Sequence, residues 1–535
     1  MALCPELSTN IWTRCLSHCT PTDLSSLALV SRYFRALSQP LIFERQYCLS
    51  FDSNAGENRR SAKRLENLVS SAHVASVKTW VFIGKFDSPS ASKDYPRLLE
   101  IFTRTLHTFR NLQILQLRLV PIDELMQKAL VGFDQLQDLA LTSCDLTAWT
   151  ESLLTVAKLK LGRDWPDHRR TDGAIQPLRI VSGEALRELT LEGHQETLSL
   201  IGGLGANGSN PFHNLITLSV QLSDALAPAF LTFLARCPQL TKLDIPKSTL
   251  SALPHTPLPP TTIPLLHYFK GPRFLAAFFA SARPIHTLEL LDGGGCRPKN
   301  PKADKDVLDN LADIARICPG LLSLSITSPI VDCLRITAAI AGHWPALRDL
   351  CFVLRNSSGV RPKMSIAGLD FSDSDDEESD IELDGDAGTG ATFCDPARVF
   401  GNVPAVPTPD VLVPGHLYTK AGSFPPSKVV ASARTLKRPT SYPALIDAIC
   451  SARVSIFTHL EDLRFTRESH DFGAAALPMP DQHRAILALE RQLPDLCEVE
   501  FQAGFRNSAV WRREKGGQIW DQKGPRNIIA SSVGR

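Results

Sequence analysis

Three stretches of this 535-residue chain carry residue types that could do chemistry. Gly203-Leu-Gly205-Ala-Asn-Gly208 has the letters of a dinucleotide-binding turn, whose glycines let a helix N-terminus approach a pyrophosphate. That chemistry needs a helix starting at the glycines. Here Ser209-Asn210-Pro211 follow and the next apolar run, at Leu215, reads as a strand, so a flexible loop is expected and no nucleotide cofactor. Cys15, His18 and Cys19 are metal-ligand types, but they share one helix and its exit with no second cluster nearby, and no metal is expected. Ser372, Ser374 and Ser379 each precede an acidic residue by three positions, a casein-kinase-type context for phosphorylation. There is no P-loop, HExxH or GxSxG, and the 14 histidines are scattered. No catalytic residue and no cofactor is assigned; the chain reads as a binding protein.

The elements that would present a binding surface begin at the N-terminus. Leu7, Ile11, Cys15 and Cys19 recur every four residues with Leu16 beside them, the spacing of one helix face. Thr20 can cap a second helix, with Pro21 at its first position and Asp23 three residues after the cap. Leu24, Leu27 and Val30 give that helix its stripe, and Ser31 can begin a third short helix carrying Phe34 and Leu37. Three helices in about 40 residues cannot bury all these side chains among themselves, so the leftover apolar face predicts a partner.

This block resembles the F-box motif. Without gaps, Leu7, Ile11, Leu16, Pro21, Asp23, Leu24, Leu27, Val30, Ser31, Arg32 and Phe34 match the family pattern. Ser8, Asn10, Cys15 and Cys19 depart from it, so the second half carries the likeness. The resemblance implies docking on a Skp-type adaptor, and through it a cullin, in a cullin-RING ubiquitin ligase. Leu7, Ile11, Leu16, Pro21, Leu24, Leu27, Val30 and Phe34 are then the adaptor-binding residues.

Length and composition bound the rest. The chain is too long for one ordinary core, whereas a repeat array grows without that limit. Hydrophobic residues make up 43% and charged residues 21%, the balance of a soluble globular protein. No signal peptide or membrane span is expected, and 13 scattered cysteines without a CxxC pair fit a reducing compartment, the cytoplasm or nucleus. Of the 56 acidic residues, ten lie between Asp370 and Asp386, so the remainder of the chain carries +11. A mixed solvated surface is the simpler reading of that excess, and no nucleic-acid or membrane partner is assigned.

A six-residue pattern, apolar at positions one, four and six, recurs to the end. Leu136, Leu139 and Leu141, followed by Cys144 and Leu146, form the clearest copy, and Leu112, Leu115 and Leu117 stand 24 residues earlier. Further copies are Val77-Trp80-Phe82, Val156-Leu159-Leu161, Leu186-Leu189-Leu191, Leu215-Leu218-Val220, Leu240-Leu243-Ile245 and Ile263-Leu266-Tyr268. Ile285-Leu288-Leu290, Leu321-Leu324-Ile326, Leu347-Leu350-Phe352, Leu460-Leu463-Phe465 and Leu496-Val499-Phe501 complete the series. Helical stripes ending at Cys237-Pro238, Cys318-Pro319 and Trp344-Pro345 precede several copies, because proline cannot continue a helix. The pattern matches the leucine-rich-repeat consensus, and with the N-terminal block the chain resembles F-box proteins with leucine-rich repeats.

The expected fold is therefore α/β: a small all-α three-helix domain, then a leucine-rich-repeat solenoid with parallel strands on its concave face. The expected boundaries are 1–51 for the helical domain, 52–63 for a polar linker and 64–365 for the solenoid. An acidic and proline-rich disordered insertion is expected over 366–426, further repeats over 427–510 and a polar tail over 511–535. The expected function is a non-catalytic substrate receptor of an SCF-type ubiquitin ligase, holding an unknown protein substrate on its repeats. The alternative is a repeat scaffold that recruits no ligase.

Overall fold

A computed structural model describes residues 8–45, 47–50, 55–84, 94–146, 149, 152–162, 178–206, 212–250, 258–291, 303–329, 333–355, 457, 459–467, 478–503, 507–515, 517 and 519–523. The chain divides into two compact units, Met1–Ser357 with Ala433–Arg535, and Ser358–Ser432. All described elements belong to the first. The insertion expected over 366–426 lies outside the described residues, as do Ser372, Ser374 and Ser379.

Three helices open the chain: α1 (Thr9–Leu16), α2 (Pro21–Val30) and α3 (Arg32–Arg45). The Thr20 cap and Pro21 start α2 where their chemistry requires. α3 is longer than the short helix expected from Ser31 and runs through Pro40. A short strand, β1 (Tyr47–Ser50), follows it inside the stretch expected to be all helical. The polar linker expected over 52–63 is also replaced. Helix α4 (Ala55–Val69) begins there, and it buries Asn58, Ser61, Ala62, Leu65 and Leu68. Those positions recur every three or four residues, but the polar members concealed the stripe.

The apolar copies become parallel strands. They are β2 (Thr79–Ile83), β3 (Ile114–Arg118), β5 (Asp138–Thr142), β7 (Lys158–Gly162), β8 (Glu188–Leu191) and β9 (Thr217–Val220). Then come β11 (Lys242–Asp244), β13 (Tyr268–Pro272), β14 (Thr287–Leu291), β15 (Ser323–Pro329), β16 (Asp349–Arg355), β17 (Asp462–Arg467) and β18 (Glu498–Ala503). With β1 they lie side by side in one sheet, in chain order. Two short pairs, β4 (Pro121–Ile122) with β6 (Asp145–Leu146) and β10 (Leu222–Ser223) with β12 (Ser248–Thr249), sit apart from it.

Register confirms the repeat unit. Trp80 pairs with Leu115, Leu115 with Leu139 and Leu139 with Leu159, and the row continues to Leu463 and Val499. Side chains alternate along a strand, so this row and the one two residues on point to the same face. Against that face lie α5 (Asp94–Thr105), α6 (Glu124–Val131), α7 (His194–Ala206), α8 (Ala227–Leu234) and α9 (Arg273–Ala280). α10 (Ala303–Ile317), α11 (Cys333–His343) and α12 (Met479–Gln492) complete the layer, and its apolar residues form one continuous core with the strands. The result is a solenoid-like α/β fold with a large parallel sheet, one face covered by helices and the other free of them among the described residues.

One copy is out of register with its expected position. Leu243 pairs with Phe269, so the copy reads Leu266, Phe269 and Gly271 rather than Ile263, Leu266 and Tyr268. Ile263 is buried in the preceding turn with φ 48°, and Tyr268 points to the open face, where its hydroxyl donates to Glu289 Oε1 at 2.6 Å.

The end of the chain differs from the polar tail expected over 511–535. β19 (Asn507–Arg512) runs antiparallel to β18, and β20 (Asp521–Lys523) antiparallel to β19. Trp511 is buried, and its Nε1 donates to Gln482 Oε1 of α12 at 3.0 Å. Arg513 ties the same corner together, donating to the Leu496 carbonyl at 2.6 Å and to Glu490 Oε1 at 2.9 Å. No helix among the described residues is long and apolar enough to cross a membrane.

Candidate protein-docking surface

The N-terminal helices sort the expected adaptor-binding residues by burial. Leu16 and Leu24 are buried and form the interior of the helical unit. Leu27 and Phe34 are half-buried, and Phe34 meets Trp12 edge-on at 5.1 Å, joining α3 to α1. Ile11, Pro21 and Val30 are exposed, and Leu7 lies outside the described residues. Two apolar residues outside the expected set are exposed as well. Leu29 is 80% exposed and Tyr33 46%, beside Val30 at 68% and Ile11 at 47%. The signal for Leu29 was present: Leu27, Ala28, Leu29 and Val30 are consecutive apolar residues, more than one helix face can bury.

Local chemistry fixes this surface. Thr20 and Asp23 cap α2 reciprocally, and the hydrogen bonds from Thr20 hold the Asp23 carboxyl below its ordinary value. Arg35 Nε donates to the Ala28 carbonyl at 3.2 Å, anchoring α3 to α2 next to Leu29. Arg14, Arg32 and Arg35 are also exposed on these helices.

The candidates for small-molecule chemistry do not converge. Cys15 is exposed, and Cys19 Sγ lies 3.7 Å from the Cys15 carbonyl oxygen. Among the described residues no group of three or more His, Cys, Asp or Glu could hold a metal. Gly203 and Gly205 are not in a loop, as expected, but in the last turns of α7. A helix ends at these glycines, so its negative pole faces the segment that a pyrophosphate would need to approach. Gly203 has a packing reason instead: a side chain there would collide with the backbone of Leu178. One cavity beneath the sheet is lined by Leu350, Phe352, Leu460, Leu463 and Leu489, another by Leu222, Phe230, Leu275 and Phe279, and neither contains a titratable side chain.

The open face of the sheet is polar and charged. Lys158 pairs with Glu188 at 2.8 Å, Lys160 with Glu192 at 2.7 Å and Lys270 with Glu289 at 3.1 Å. Towards β18 the balance turns acidic. Asp349, Asp462 and Glu498 share one row on neighbouring strands, and Arg464 and Glu500 stand opposite one another in the next. Burial pushes the Asp349 and Asp462 carboxyls up, and at Asp462 the Glu498 charge adds to it.

No family model matches the chain, and no curated protein matches it. Among solved structures it is similar to one described as the crystal structure of the Rad7 and Elc1 complex in yeast. Identity is 12%, the match covers 66% of this chain and 89% of that one, and the TM-score is 0.27. An overlap that slight assigns neither fold nor function.

Proposed function

We propose that the chain is an F-box protein with leucine-rich repeats, acting as the substrate-recognition subunit of an SCF-type cullin-RING ubiquitin ligase. The observation that supports this reading is the apolar surface of Ile11, Leu29, Val30 and Tyr33 on a capped three-helix unit. Fully burying one such side chain is worth about 1.5–3 kcal/mol, so a few suffice for a specific interface. The partner is a Skp-type adaptor, and through it a cullin. The open sheet face holds a protein substrate, and the chain itself carries no catalytic group or cofactor. Its place is the cytoplasm or nucleus.

The experiment is reconstitution. The full chain mixed with a purified Skp-type adaptor should elute from gel filtration as one complex, and adding a cullin should shift that complex further. Separate elution of chain and adaptor contradicts the proposal. A complex with the adaptor that never takes up a cullin favours a repeat scaffold without ligase recruitment.

A further inference from the structure

Residues standing one place ahead of successive strands form a margin along the open sheet face. They are Arg187, Ile216, Thr241, His267, His286 and Leu322, ahead of β8, β9, β11, β13, β14 and β15. Each backbone N–H after Arg187 donates to the carbonyl of the residue before it in this row, at 2.8–3.1 Å, so the row is contiguous. At about 4.8 Å per strand it is roughly 24 Å long, the reach of about seven residues of extended chain. Ile216 is 42% exposed and Leu322 38%, and His267 and His286 stack between them at 5.0 Å.

The margin lacks carboxylates. Beside the row from Ile216 to Leu322 lie Thr217, Lys242, Tyr268, Thr287 and Ser323, the first residues of their strands, and neither row holds an acid. The next acids along these strands are already matched. Glu289 lies 3.1 Å from Lys270 and accepts from the Tyr268 hydroxyl, and the Lys270 charge also acts on Asp244. On the flanking strands, Glu188 pairs with Lys158, and Arg348 acts on Asp349 and Glu461. Arg187 and Lys242 are exposed, and among the described residues neither makes an ion pair. The charge that acts on His286 is that of His267.

We propose that this margin receives an extended segment of the protein substrate, whose acidic side chain meets Lys242 and the His267–His286 pair and whose apolar side chains cover Ile216 and Leu322. The proposal rests on the reading of the open face as the substrate-binding face and gives that substrate its chemistry. Charge complementarity selects the occupant. A carboxylate accepts from an ammonium and from imidazole N–H groups, and it balances the charge the histidines gain below neutral pH, to which a basic segment would add.

The test uses the full chain and a fluorescein-labelled peptide, Leu-Gly-Glu-Gly-Glu-Gly-Leu, read by anisotropy. The same peptide with glutamine for glutamate is the control. Wild type should bind the glutamate peptide about three- to ten-fold more tightly, the scale of a charge pair at a partly exposed site. Lys242→Gln should lose that preference, while Lys63→Gln on α4 should keep it. Ile216→Ser should weaken both peptides alike, by about three-fold or more. From about pH 7.5 to about pH 6 the preference should grow by about two-fold or more, because the imidazoles charge while the peptide's glutamates, ordinarily at about 4.3, stay ionised. A chain carrying both His267→Asn and His286→Asn should show no such growth.

Absent binding, or equal binding of the two peptides, overturns the proposal. So does equal loss in Lys242→Gln and Lys63→Gln, which would indicate general charge attraction. An Ile216→Ser chain that binds as wild type does, or pH-dependent growth that persists without the histidines, also overturns it. Binding abolished by EDTA would make the histidine pair a metal site, and displacement by oligo-thymidine at lower concentration than by unlabelled peptide would make the occupant a nucleic acid. Either result contradicts the proposal. None of these outcomes bears on the adaptor complex, which is read separately by gel filtration.

Discussion

Thr20 and Asp23 close on each other at the start of α2. The Thr20 Oγ1 accepts from the Asp23 N–H at 3.2 Å, and Asp23 Oδ2 accepts from the Thr20 N–H at 3.1 Å and from its hydroxyl at 2.6 Å. This pair sets where α2 begins, and so which way Leu29 and Val30 point. The Asp23 carboxyl is held below its ordinary value of 3.8, chiefly by its hydrogen bond from the Thr20 side chain. A depressed acid stabilises the fold above its unfolded value and loses that contribution as pH falls through the folded one. Amide exchange in α2 should therefore accelerate below about pH 4, and Asp23→Asn should show the faster exchange already at neutral pH. Unchanged exchange in the variant would remove the cap from the account.

Phe465 stacks between Phe352 and Phe501, each at 6.0 Å, at the third apolar position of three successive strands. It is buried in the continuous core. Phe465→Ala should cost about 3–5 kcal/mol, measured by urea denaturation. A loss below about 1 kcal/mol would mean that neighbouring repeats do not share this core.

Gly203 tests the packing account of the glycine-rich stretch. Gly203→Ala would push a methyl group into the Leu178 backbone, and overpacking of this kind costs about 1–3 kcal/mol. The melting temperature should fall, and adding a dinucleotide should move neither protein's melting curve. A dinucleotide-dependent rise in wild type alone would restore the nucleotide reading.

His286 stacks on His267 at 5.0 Å, each one residue ahead of the neighbouring strands β14 and β13. Burial first, and then the His267 charge, hold the His286 imidazolium below its ordinary value of 6.5. A base with a depressed folded value favours folding when neutral. That contribution is present above the unfolded value and is lost as pH falls from about 6.5 towards the folded one. Melting temperature should therefore drop across that window, and His286→Asn should flatten the drop. An unaltered pH profile in the variant would assign the acid sensitivity elsewhere.

The repeat strands were legible because a six-residue apolar pattern leaves little choice of face. The slip at Phe269 shows its limit, since Ile263 and Leu266 satisfied the spacing while belonging to a turn and an earlier position. Helix α4 was hidden by Asn58 and Ser61, polar residues on its buried side. β19 escaped notice because Trp511 sits in a stretch of basic residues, and its burial depends on Gln482, 29 positions away. On the docking surface, Ile11 and Val30 were readable from helical spacing. Leu29 was signalled only by the apolar run from Leu27 to Val30, and Tyr33 by nothing, because a stripe count stops at the residues it needs.

The most direct test of the docking role is the affinity of the full chain for a Skp-type adaptor, measured by calorimetry for wild type and Val30→Asp. Val30 is exposed, so the variant should melt as wild type does. Losing one apolar anchor and adding a charge should weaken binding by roughly ten- to a hundred-fold. A Val30→Asp chain that binds the adaptor as tightly as wild type would contradict the assignment of this surface.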